Sequence, residues 1–214
     1  MNKSSKFNEI FKVFIIFMIG CILGYVVEMI VALVQNGHFV SRQGLLYGPF
    51  TPVYGIGILV YYIFFRIVKN RDKKIVFISS MILGGITEYL CSFIQEKAFG
   101  TISWDYSYLP FNIYGRTSLL HCIYWGIGGV LYITYIEPLL NKLIDKTNMK
   151  AFDLITIILS IFIVFDISIS WMAADRQTER KNNIEPENHL DLFLDENYPD
   201  EYMNRIFNNK KDVC

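Results

Sequence analysis

Three acidic residues occupy positions where a carboxylate is costly. Glu28, Glu88 and Asp166 close or interrupt apolar runs, in Gly-Tyr-Val-Val-Glu, Gly-Gly-Ile-Thr-Glu and Ile-Val-Phe-Asp-Ile. An ionised acid in hydrocarbon costs several kcal/mol unless it faces protein or water. Such a group therefore binds a cation, a proton or a polar solute, either ionised by a neighbouring cation or protonated by desolvation. At the rise of an α-helix each acid lies about 20 Å along its run, which places all three in the outer third of a bilayer core about 30 Å thick. His121 enters the same layer from outside, about one turn into the fourth run, and Arg116 stands just above it. The structural alternative is that the acids glue helices together by hydrogen bonds to Tyr, Asn or backbone groups. A single histidine without an H-E-x-x-H partner does not call for a metal.

Two loops are rich in aromatic, Gly and Pro residues where connectors usually carry charge. The first holds Tyr47, Gly48, Pro49 and Phe50 and runs into Tyr54 and Gly55; the second holds Trp104, Asp105, Tyr106 and Ser107 and runs on to Asn112. Pro restricts the backbone and Gly permits positive φ, so both suit tight turns dipping into a bundle with carbonyls facing a cavity. Trp104 and the tyrosines equally suit an interfacial belt. Asp105 is placed to cap a turn or to pair with Arg116 rather than to catalyse.

The elements that must position these residues are legible from composition. Of 214 residues 53% are hydrophobic and only 19% charged, against about 25% charged in soluble domains. Lys plus Arg equal Asp plus Glu at 20 each, so there is no basic surplus for nucleic-acid binding. Apolar residues gather in five blocks, approximately 13–34, 51–68, 75–94, 117–137 and 151–174, each near the length of about 20 residues that spans a bilayer. The blocks lack the alternation of barrel strands, so the expected fold is all-α, a polytopic membrane bundle of about five transmembrane helices. The first block is too long for a signal-peptide core and reads as an uncleaved anchor. Cys21, Cys91, Cys122 and Cys214 form no C-x-x-C pair and read as small buried hydrophobes.

Basic residues orient the bundle. Lys3, Lys6, Lys12, Arg66, Lys69, Arg71, Lys73, Lys74, Lys142, Lys146 and Lys150 fall on one side, and Arg42, Lys97 and Arg116 on the other. The expected N-terminus is cytoplasmic and the tail extracellular, although Arg176, Arg180 and Lys181 oppose this. A tandem two-helix repeat of period about 60 is also expected. Residues 24–28 recur as 84–88, and Pro49-Phe50 through Tyr54-Gly55 recur as Pro110-Phe111 through Tyr114-Gly115. Repeat 1 then covers about 13–68, repeat 2 about 75–137 and the fifth helix 151–174. Together they make a membrane domain over 1–174, followed by an acidic tail at 175–214 with a short amphipathic helix after Glu185-Pro186-Glu187.

The string Leu46-Tyr47-Gly48-Pro49-Phe50-Thr51-Pro52-Val53-Tyr54-Gly55-Ile56-Gly57, with Trp104-Asp105-Tyr106-Ser107, Asn112, Gly115-Arg116 and Trp125-Gly126, resembles the bacterial ABC-transporter permeases of type IV, the CmpB-like multi-pass membrane proteins. The likeness is strong over the first 140 residues and looser through Phe193-Leu194-Asp195 and Tyr198-Pro199-Asp200-Glu201. It implies a permease or transporter component of a bacterial cell membrane, working with a separate ATP-binding subunit. The chain has no G-x-x-x-x-G-K-[ST] loop and cannot itself be that subunit. A non-transporting binder holding an envelope protein is the alternative. A lipid-modifying enzyme using Glu88, Asp105 or His121 comes third, because no catalytic motif is present. No cofactor or metal is called for; the bilayer and a second copy of the chain are the remaining expected partners.

Overall fold

The computed structural model describes residues 3–68, 72–146 and 149–213. Lys69, Arg71 and Cys214 lie outside the described residues. Helix α1 covers Lys3–Asn36, α2 Pro52–Ile67 and α3 Lys73–Phe99; α4, Leu119–Leu131, continues through a π-helical turn at Tyr132–Ile136 into α5, Glu137–Lys146. Helix α6 covers Met149–Lys181, and the tail adds α7 (His189–Asn197) and α8 (Asp200–Ile206). Four short strands complete the described residues: β1 (Thr101–Ile102) pairs antiparallel with β4 (Lys211–Asp212), and β2 (Asn112–Ile113) with β3 (Thr117–Ser118).

The all-α bundle is as expected, with one difference in count. Among the described residues four helical stretches are long and apolar enough to cross a membrane: Glu9–Asn36, Lys73–Phe99, Leu119–Lys142 and Asp153–Lys181. The second apolar block forms α2, which at 16 residues is only about 24 Å long. Pro52 sets its start, where a missing N–H costs nothing. Asp72 caps α3 by accepting from the N–H groups of Lys74 and Ile75. Gly100, at φ 61°, ends α3 in the left-handed region that favours glycine.

The π turn has a local cause. Pro138 lacks an N–H, and its ring crowds the carbonyl four residues back, at Thr134. The chain widens there, and the Glu137 N–H reaches the Tyr132 carbonyl five residues back.

Helices α1 and α2 form one hairpin, α3 and α4 another, each closed by glycine contacts. A Cβ on Gly24 would lie 2.3 Å from the Tyr54 ring, and one on Gly84 2.3 Å from the Trp125 ring. Gly55 abuts Phe17 and Cys21, whereas Gly126 abuts Phe77 and Met81. Phe17, Cys21 and Gly24 thus match Phe77, Met81 and Gly84 at the sequence period of 60. The partner helices match differently, because Tyr54-Gly55 packs where Trp125-Gly126 does. Tyr114-Gly115, the counterpart read from sequence, instead forms the β2–β3 turn with φ of 51° and 69°. The longer second loop displaces the register.

Ile16, Tyr61, Phe65, Val76 and Tyr132 bury a common core between the hairpins. Cys21 is buried as expected, while Cys91 and Cys122 are only half-buried. One end of the bundle is tied by Arg66 to Glu9 at 2.5 Å and by Lys12 to Asn141 at 2.7 Å. The opposite end carries both loops and the tail. There Leu194, Tyr198 and Met203 share a core with Leu46, Ile169 and Ala173. The tail has two short helices rather than one, and it borrows its core from the bundle.

Candidate functional site

Glu28 and Glu88 belong to different hairpins yet meet one group of tyrosines. The Tyr54 hydroxyl donates to Glu28 Oε1 at 2.5 Å. On the other hairpin, Thr117 donates to Glu88 Oε2 at 2.7 Å and Tyr106 to Oε1 at 3.2 Å. Tyr54 also lies against Trp125, with ring centroids 5.4 Å apart, so the two sets are contiguous. Burial raises the Tyr106 phenol well above its ordinary pKa, and the neighbouring Glu88, Tyr54 and Glu28 raise it further. It therefore stays protonated and serves as a donor. His121 stacks on Tyr106 at 3.6 Å and shares a 2.8 Å hydrogen bond between its Nδ1 and Ser118. Glu88 is 6% exposed. A carboxyl so enclosed, held by two hydroxyl donors, can exchange a proton or hold a small cation.

Asp166 does not join this group. It is fully buried on α6, where its Oδ1 accepts from the Tyr47 N–H at 3.1 Å and from Ser170 at 3.2 Å. Its Oδ2 has no hydrogen-bond partner among the described residues. Depth along a helix is readable from sequence, but the face each acid occupies depends on packing. The first loop follows α6 downwards: Leu45, Leu46 and Phe50 are buried, and the Leu46 N–H donates to Ser170 at 2.8 Å. Gly48, at φ 73°, makes the turn before Pro49.

Arg116 neutralises none of the three acids. Its Nη2 donates to Glu96 Oε2 at 2.5 Å, and its guanidinium lies over the rings of Tyr89, Phe93 and Tyr114. Asp105 makes no ion pair with Arg116 among the described residues and caps its own loop, accepting from the Ser107 N–H at 2.9 Å and hydroxyl at 2.5 Å. Those hydrogen bonds hold the exposed Asp105 carboxyl below its ordinary range. Trp104 Nε1 donates to the Arg116 carbonyl at 2.8 Å. The Asn112 side chain joins Leu109 and Ser107 carbonyls to the Gly115 N–H, fixing the turn.

A cavity of about 200 Å³ opens at the loop end, with Ser92, Glu96, Trp104, Asp105, Tyr114 and Arg116 among its walls. Glu28, Glu88 and Asp166 do not line it. The residues expected around one polar space therefore divide into three places: the Glu28–Glu88 group, the Asp166 pocket and this cavity. Sequence reading missed Thr117, Ser92, Glu96 and Ser170. Hydroxyls beside intramembrane acids were the available signal for Thr117 and Ser170, while Glu96 sits too near the end of its run to stand out. Among the described residues no three His, Cys, Asp or Glu side chains are grouped to hold a metal ion.

The family described as Putative ABC-transporter type IV matches residues 15–171, which takes in both hairpins, both loops and most of α6. The chain belongs to that family. No curated protein and no solved structure matches it.

Proposed function

With family membership as the premise, we propose that the chain is the membrane component of a transporter, its two hairpins acting as tandem copies around the Glu28–Tyr54–Tyr106–Glu88 group. A polar solute or ion approaches from the loop end, which faces the outside of a bacterial cell, and a separate ATP-binding subunit docks at the opposite, basic end. One observation carries this reading: carboxylates from two hairpins converge on one tyrosine group inside the apolar bundle. Buried acids in a membrane are retained for function or for helix adhesion. Sharing one network across two copies favours function, because adhesion within each hairpin is already supplied by the glycine contacts at Gly24 and Gly84.

The test is mild solubilisation of membranes followed by affinity capture of the wild-type chain and of Glu28→Gln/Glu88→Gln. An ATPase co-purifies with both, and the double variant lowers ATP-dependent flux of co-purifying solutes at least about tenfold, the loss of one charge-assisted contact. Capture of an envelope protein without an ATPase overturns the transporter reading. It would support a binder instead, for which the exposed Leu190, Leu192 and Phe193 of the tail offer a contact surface.

A further inference from the structure

The cavity at the loop end holds polar groups that the described protein leaves unsatisfied. Ser92 is 1% exposed and lines the cavity, and its hydroxyl has no hydrogen-bond partner among the described residues. A serine in mid-helix ordinarily bonds the carbonyl four residues back, as Ser160 does to Thr156 and Ser168 to Val164. Ser92 does not. The Arg116 Nε is likewise buried and unpaired, although its Nη2 is committed to Glu96. A buried donor left empty is unfavourable, so two on one cavity call for an acceptor. A carboxylate, with two oxygens, satisfies both.

Besides Glu96, which is taken up by the Arg116 ion pair, the same cavity carries a second carboxylate. Asp105 commits Oδ1 to Ser107 and keeps Oδ2 free of protein hydrogen bonds among the described residues. Lys211 on β4 acts on it less than the Ser107 hydrogen bonds do. Trp104 also lines the space, and an aromatic ring attracts an ammonium group. The turn is rigid, because Asn112 and Trp104 fix the backbone on both sides of Gly115. At about 200 Å³ the space falls below the range of about 300–1,000 Å³ that takes drug-sized ligands.

We propose that this cavity binds a small zwitterion, a free amino acid, with its carboxylate on Ser92 and Arg116 and its ammonium on Asp105. This names the solute class for the loop-end approach and rests on the transporter reading for its direction. The full chain in nanodiscs is screened for thermal stabilisation by the free amino acids one at a time, and the best is titrated by calorimetry. At least one binds saturably, and its N-acetyl and carboxamide derivatives each bind at least about tenfold more weakly. Asp105→Asn erases the discrimination against the N-acetyl form, and Ser92→Ala reduces that against the carboxamide. The derivatives act on the wild-type chain, so the test holds even if a variant fails to fold. No stabilisation by any amino acid overturns the proposal, as does equal binding of the blocked forms. Tighter binding of phosphoethanolamine, the polar end of a lipid, overturns it in favour of a headgroup. ATPase co-purification without amino-acid binding refutes only this inference, whereas binding without an ATPase refutes the transporter reading and leaves the site.

Discussion

Gly84 shows how much of a membrane bundle can rest on one missing side chain. In lipid there is no hydrophobic drive between helices, so close backbone approach supplies the adhesion. A methyl at Gly84 would fall 2.3 Å from the Trp125 ring, with the indole stem also within 2.4 Å. Gly84→Ala is therefore expected to destabilise the purified protein by about 1–3 kcal/mol through overpacking. Gly128, on the same hairpin, has open space around its position and no positive φ. Gly128→Ala is expected to gain about 0.5–1 kcal/mol from helix propensity. Thermal unfolding in one detergent compares the two, and a neutral Gly84→Ala would refute the tight α3–α4 contact. Residue types announced the acids, since Glu28, Glu88 and Asp166 break apolar runs. Their partners were not legible, because Thr117 is 29 residues from Glu88 and Tyr47 is 119 from Asp166. Arg116 found Glu96 rather than those acids because both stand at the rim, where a guanidinium can also cover aromatic rings.

Elements follow the apolar blocks at their centres and depart from them at their ends. The first block predicts 13–34 and α1 runs Lys3–Asn36; the last predicts 151–174 and α6 runs Met149–Lys181. Backbone hydrogen bonding continues into polar sequence until a cap or a glycine stops it, so hydropathy marks the lipid-facing length rather than the helix. The tail was the least legible element, since its order comes from side-chain pairing over distance. Arg176 meets Asp195 through two hydrogen bonds of 2.9 Å, and Arg180 meets both Asp195 and Asp200 at 2.6 Å. Lys210, which follows α8, donates to Gln177 on α6. Burial, with Lys181 adding repulsion, pushes its ammonium from the ordinary 10.5 down to about 8. The charged form is thus disfavoured when the tail is docked, and the unfolded state holds more protons between those values. Stability should rise as pH climbs from about 8 towards 10.5, by about 1–2 kcal/mol after screening. Lys210→Met should flatten that rise. Thermal unfolding of both chains at pH values across this window checks it, and parallel profiles would show that Lys210 is solvated.

At the scale of the whole molecule, the two ends differ in what neutralises their charge. The end tied by Glu9–Arg66 and Lys12–Asn141 also carries Lys73, Lys74 and Lys142, which have few acids nearby in sequence. Arg176, Arg180 and Lys181, the residues that opposed the orientation read from sequence, stand at the loop end and are each paired with acids. The positive-inside bias acts on basic residues near the ends of spans, and cations at the end of α6 that are held in ion pairs with acids of the tail are compatible with the exterior. The described chain begins at one end of the bundle and finishes at the other, since the Val213 N–H donates to the Gly100 carbonyl beside the β1–β4 pair. Single cysteines in a background with Cys21, Cys91, Cys122 and Cys214 all replaced by Ser test which end is outside. Asn188→Cys, at the exposed cap of α7, should react in intact cells with a maleimide that does not cross membranes. Lys74→Cys, on the first turn of α3, should react only after permeabilisation. The reverse pattern would invert the bundle and place the zwitterion cavity on the cytoplasmic face. Labelling of both sites in intact cells would overturn the path between them, because three spans, α3, α4–α5 and α6, separate Lys74 from Asn188 and an odd number of crossings puts them on opposite sides whatever the short α2 does.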